Sequence, residues 1–79
     1  MNQTMSQEQA QTTLRVVIGC AIEDIMNASM REAERHEIDI ANAQLSSARR
    51  IYEAARVLNI DPAINRYMRR VIEDGDKYQ

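Results

Sequence analysis

The sequence predicts an all-α domain, a helical hairpin plus a short third helix, assembled as an oligomeric (dimeric) helical bundle. Three observations predict it. Apolar residues recur at i, i+3, i+4 and i+7 over two long stretches, which places them on one helix face. Only one Pro and two Gly interrupt 79 residues. Phe and Trp are absent, so Ile, Leu, Val, Met and Ala must build the core. Such a core buries little area per residue, and a single Cys excludes an internal disulfide. Self-association is the remaining source of stability.

Residues 1–10 are mostly Gln, Asn, Ser and Thr, and read as a flexible N-terminal arm. Residues 11–75 read as the single helical domain, and 76–79 as a polar tail. The first helix starts at Thr12 or Thr13, where a hydroxyl can cap a free amide. Its apolar face is Leu14, Val17, Ile18, Ala21, Ile22, Ile25, Met26 and Ala28, and it runs to Arg35 or His36. Leu14, Val17, Ile18, Ala21 and Ile25 are the expected dimer interface, because the later helices offer too little apolar surface to cover them. Gly19 costs about 1 kcal/mol in a helix interior, a cost that close approach of another helix would offset. No Gly or Pro separates the first and second helices. A break with Asp39 as the second N-cap is favoured over one continuous rod.

The second helix carries Ile40, Ala41, Leu45, Ala48, Ile51, Tyr52, Ala55 and Leu58 on its apolar face. It stops at Asn59, a residue that tolerates left-handed geometry. Asp61-Pro62 then reads as N-cap and first helical residue of the third helix. That helix buries Ile64, Met68 and Val71, with Tyr67 or Ile72 beside them, and ends at Gly75.

The net charge of −2 conceals segregation. Residues 21–39 sum to −4 and residues 49–70 to +4, with none at all in 40–48. Six of the ten basic residues fall between Ser46 and Ile72: Arg49, Arg50, Arg56, Arg66, Arg69 and Arg70. Arginine at that density fits an interface, where its planar fork pairs carboxylates and stacks on rings. Arg49, Arg56, Arg66, Tyr67, Arg69 and Arg70 are the expected partner-binding set. Intramolecular pairs Arg69–Glu73 and Arg70–Asp74 are the plainer use of the same residues, in the less favourable charge order. The acidic stretch reads as a solvated helix face, too thin in charge for a mimic of DNA.

The same segment resembles a DNA-reading helix-turn-helix over roughly 20 residues, a spacing judged against the known motif. Ala55, Leu58, Asn59 and Ile60 fit its first helix and turn. Asn65 stands where an apolar residue is needed, and Pro62 takes a base-reading position. A protein partner is therefore the leading expectation and DNA the alternative. If DNA is the partner, Arg66 and Arg70 would meet phosphates.

Nothing points to an enzyme or a cofactor. Cys20 and His36 are the only Cys and His, sixteen residues apart, and no nucleophile–base pair suggests itself. Cys20 reads as an inert thiol, shielded between Ile18 and Ile22 or at the dimer seam. Glu32 and His36 lie at i, i+4, but two ligands without a third make no metal site. No Gly-rich phosphate loop is present. The N-terminus lacks the basic and apolar regions of a signal peptide, and no apolar run reaches the ~20 residues of a membrane helix. A cytoplasmic location is the expectation. Size and style suggest a phage or mobile-element protein, an inhibitor or adaptor that occupies a surface of a host protein or defence complex.

Overall fold

The computed structural model describes residues 4–79. It contains three helices: α1 (Gln7–Glu34), α2 (Ile38–Val57) and α3 (Arg66–Asp74). The described residues are otherwise turns and extended chain, so the fold is all-α. The first two helices form an antiparallel hairpin, and α3 lies chiefly against α2.

α1 begins earlier than the sequence led us to expect. Thr12 and Thr13 are not its cap. Ser6 is the N-cap, in a capping box with Gln9. The Ser6 hydroxyl accepts from the Gln9 amide at 3.1 Å, and the Ser6 amide donates to Gln9 Oε1 at 2.9 Å. The Ser-x-x-Gln spacing that licenses this was present, but its first turns bury nothing, so apolar periodicity missed them. Much of the expected arm is therefore helix; positions 1–3 of it lie outside the described residues.

The hairpin turn is three residues long, and the break between the helices is real. Asp39 is not its cap; it sits inside the first turn of α2, and Glu37 is the N-cap without a side-chain bond. The signal lies at His36, whose φ of 63° is left-handed. The His36 amide donates to the Ala33 carbonyl (3.0 Å) and the Glu37 amide to the Glu32 carbonyl (2.9 Å), the pair of bonds that closes a Schellman motif. The Glu37 carbonyl then accepts from Ala41 at 2.9 Å and opens α2. Asn59 does the same work at the end of α2. Its φ is 60°, its amide reaches Arg56 and the Ile60 amide reaches Ala55.

The core is Ile22 and Met26 from α1, Leu45, Ala48 and Tyr52 from α2, and Met68 and Ile72 from α3. Ile18, Ile25, Ile51, Ile64, Val71 and Tyr78 pack around it. Ile72 rather than Tyr67 completes the α3 face. Buried Ser29 ties the hairpin by donating to the Ala41 carbonyl at 2.6 Å.

The third helix starts four residues later than Asp61-Pro62 implied. Asn65 caps it, its side chain accepting from the Met68 amide at 2.8 Å. Residues 60–65 are not helical and cross α1 instead, with a tight turn closed by the Ile64 amide on the Pro62 carbonyl at 2.9 Å. Pro62 is fully buried there. The Ala63 amide donates to the Arg15 carbonyl at 3.0 Å, and Arg15 Nε donates to the Asp61 carbonyl at 2.8 Å. Gly19 permits the crossing: a Cβ there would stand 2.4 Å from the Ala63 oxygen. Close approach does explain this glycine, but the neighbour is the backbone of a non-helical connection, not a helix.

Gly75 ends α3 in the left-handed region at φ 75°. The tail beyond it is tied down. Asn42 Nδ2 donates to the Tyr78 carbonyl (3.0 Å), and the Tyr78 amide donates to Asn42 Oδ1 (2.8 Å).

Candidate functional site

The arginine-rich segment divides into two groups. Arg49, Arg56 and Arg69 serve the fold. Arg49 reaches from α2 to the last carbonyls of α3, with Nε donating to Ile72 and Nη2 to Val71, each at 3.2 Å, and Nη2 also to Asp76. A cation at a helix C-terminus meets the negative end of its dipole, so this contact both caps α3 and fixes it to α2. Arg56 and Arg69 converge on Tyr52. The phenol donates to Glu73 Oε2 at 2.6 Å and accepts from Arg56 Nη1 (2.8 Å) and Arg69 Nη1 (3.0 Å). Both guanidinium carbons lie within 6 Å of the ring centroid, at 5.6 and 5.8 Å, inside cation–π range.

Carboxylates close this network. Arg69 pairs with Asp61 at 3.0 Å, and Arg56 with Glu73 at 3.6 Å. Arg69 Nη2 also donates to the Pro62 carbonyl at 3.1 Å. Burial opposes the Arg69 charge, but its bonds to Tyr52 and Asp61 outweigh this and raise its pKa. The expected Arg69–Glu73 and Arg70–Asp74 pairs do not form among the described residues; Arg69 turns to Asp61 and Glu73 to Arg56. Tyr52 and Asp61 were not read from the sequence as partners of these arginines, and Glu73 was read as a partner of Arg69, not of Arg56. Tyr52 and Arg56 stand at i, i+4 on α2, but the contacts of Asp61, Arg69 and Glu73 join separate segments and no local spacing signals them.

Arg66, Tyr67 and Arg70 form the second group. All three are exposed, Tyr67 by 66%. Among the described residues none of them makes a side-chain hydrogen bond or ion pair. Their spacing of i, i+1, i+4 gathers them on one outer face of α3. Below them Met68 and Ile72 are buried, Asn65 holds one end and Arg49 the other. The patch thus combines free side chains with a fixed backbone. Arg50 is also exposed, on α2.

The expected dimer residues divide as well. Leu14, Val17 and Ala21 are exposed, whereas Ile18 and Ile25 are half-buried against the molecule's own core. Cys20 is exposed in the single chain and is not shielded between Ile18 and Ile22, since its place on α1 lies away from Ile22, Met26 and Ser29.

A polar cleft of about 360 Å³ lies beside the network, lined by Arg56, Asn59, Ile60, Asp61 and Arg69. Its two cations already face Glu73 and Asp61. Among the described residues no three of His, Cys, Asp or Glu come together to hold a metal ion. Cys20 and His36 lie about 24 Å apart along the helix axis at 1.5 Å per residue. The tight turn expected of a helix-turn-helix is absent: eight residues, 58–65, separate α2 from α3, where the motif uses three or four. Among the described residues no helix is long and apolar enough to cross a membrane.

No protein-family model matches the chain, and neither a curated protein nor a solved structure matches it.

Proposed function

We propose that this chain is a small non-enzymatic binding module that acts by occupying a carboxylate-bearing surface of a protein partner. The observation that carries this reading is the division of the arginines. Three are consumed in holding α3, and Arg66, Tyr67 and Arg70 remain free on its outer face. Arg and Tyr are among the side chains most often found as binding hot spots, Tyr for its large rigid contact area and Arg for a planar fork that pairs carboxylates. A rigid base adds to this, since little order is lost on docking. The reading includes a self-associating, cytoplasmic protein, of the inhibitor or adaptor kind carried by phages and mobile elements.

DNA binding is the competing reading, because free arginines on a short helix also suit phosphates. The eight-residue connection and the negative net charge weigh against it. The test uses capture from nuclease-treated host lysate, comparing the native chain with Arg66→Glu/Arg70→Glu. The expected result is capture of a protein by the native chain alone, with both chains melting alike. Tight binding of duplex DNA whose affinity falls steeply with salt would overturn the proposal, since each phosphate contact contributes about one power of salt dependence.

A further inference from the structure

We propose that residues 76–79 are a latch on α3, and that its hold sets the fraction of chains in which Arg66, Tyr67 and Arg70 are presented on an ordered helix. This step rests on the docking role proposed for that face and names its regulation. α3 is too short to be stable by itself. It has nine residues, and helices under about 12–15 residues are marginal in water without tertiary support. Met68 and Ile72 supply part of that support by burial. Asn65 pins the first turn, and Tyr52 holds the middle through Arg69 and Glu73. Arg49 holds the last turn by donating to the Val71 and Ile72 carbonyls, groups at a helix C-terminus that have no intrahelical donor.

Arg49 also reaches past the helix. The same Nη2 that meets Val71 donates to the Asp76 carbonyl. One side chain therefore clamps the end of α3 and the start of the strap together. Asn42 grips the strap again at Tyr78. Its Nδ2 donates to the Tyr78 carbonyl at 3.0 Å, and its Oδ1 accepts from the Tyr78 amide at 2.8 Å. The amide side chain thus takes the place of a facing residue in an antiparallel ladder, where both bonds are exchanged with one partner. The Tyr78 side chain packs against the core.

The strap is built to leave as a unit. Of residues 75–79 only Tyr78 is withdrawn from solvent, and segments with so little burial open at low cost. Gly75 joins it to α3 at φ 75°, with no atom of the described residues within 4 Å of the place a Cβ would take. A glycine there changes its dihedrals at little steric cost, which suits a hinge. With the strap down, Arg49 and Tyr78 hold the last turn of α3 against α2. With the strap released, Arg49 loses a partner, Tyr78 leaves the core, and α3 frays back toward Arg70. A partner that binds only the ordered face then meets only the docked fraction, and its apparent affinity falls by that fraction.

Trypsin reads the latch without any partner. Arg66, Arg69 and Arg70 are cleavage sites inside α3, and cutting there tracks how often the helix opens. Every chain carries Lys77→Gln, so that the strap itself is not cut. Initial cuts are mapped by mass spectrometry, with the cut after Arg50 in α2 as the internal reference. Asn42→Ala and Tyr78→Ala should each speed the α3 cuts by about tenfold, through lost hydrogen bonds in one case and lost apolar burial in the other. Tyr78→Phe keeps the ring and should cut at the native rate. The Arg50 cut should keep its rate in all of them. Unchanged α3 cutting in both alanine variants would overturn the proposal. So would equal acceleration at Arg50, which would make the strap a part of the global fold rather than a latch. No partner enters this measurement, so failure of the latch and failure of the docking face are told apart.

Discussion

Gly19→Ala is the sharpest test of the crossing between residues 60–65 and α1. In a solvated helix this change stabilises by about 1 kcal/mol. Here the added Cβ would meet the Ala63 oxygen at 2.4 Å, its carbonyl carbon at 2.9 Å and its nitrogen at 3.0 Å. These are backbone atoms, so no side chain can rotate away. Overpacking of this kind costs about 1–3 kcal/mol. Moving the segment also lengthens the Ala63–Arg15 hydrogen bond, worth about 1 kcal/mol. Against the helical gain the net loss is about 2 kcal/mol, or a fall in Tm of about 8–16 °C for a domain this size. Thermal melting followed by circular dichroism reads it, with Ala21→Gly as a control that loses about 1 kcal/mol through helix propensity alone. A rise in Tm for Gly19→Ala would mean that the segment does not lie on α1, and would refute the account of this glycine.

The start of α3 can be located by two single changes. Asn65→Ala should cost about 1 kcal/mol through loss of the N-cap, while Asp61→Ala should stay within about 0.5 kcal/mol, since its pair with Arg69 is more than half exposed on the Asp side; the reverse order in urea melts would put the helix start back at Pro62. Cys20 should react with a thiol reagent in native buffer nearly as fast as in guanidinium, and strong native protection would contradict its exposure. Tyr52→Phe keeps the buried ring and removes the hydroxyl shared by Arg56, Arg69 and Glu73. It should destabilise by about 2 kcal/mol, as bonds to charged groups do, and an unchanged midpoint would show that the network contributes no net stability.

Periodicity told most about the parts of the chain that bury something. Ile22, Met26, Ala41, Leu45, Ala48, Tyr52, Met68 and Ile72 all stand on the faces that the i, i+3, i+4 pattern marks, and all are buried. Asn59 and Gly75 could be read as helix ends because a left-handed residue is needed there and both tolerate it. His36 was harder, since no Gly or Pro accompanies it, although histidine is among the non-glycine residues enriched at positive φ. Asp61-Pro62 misled for a different reason. The local pattern is a good helix start, but Arg15 and Gly19 supply tertiary contacts that hold this stretch out of the helix, and no local pattern carries them. The arginines show the same division. Their clustering marks the segment, but which ones are free depends on where Tyr52, Asp61 and Glu73 arrive.

The two surfaces argued above differ in their physics, and salt separates them. Leu14, Val17 and Ala21 are exposed and uncharged on α1, so self-association through them would rest on removing surface from water. Excluded salts such as sulfate strengthen that kind of burial. The α3 patch works through Arg66 and Arg70 in an exposed setting, where charge pairs weaken as the screening length falls from about 10 Å at 0.1 M to about 3 Å at 1 M. Raising sulfate should therefore tighten the dimer while loosening the partner, on the same sample. Parallel responses of both equilibria would mean that one surface serves both, and the separation of the free arginines from these apolar residues would lose its functional meaning. Opposite responses are what a chain of 79 residues needs if it is to couple a self-association surface with a binding face on its shortest helix.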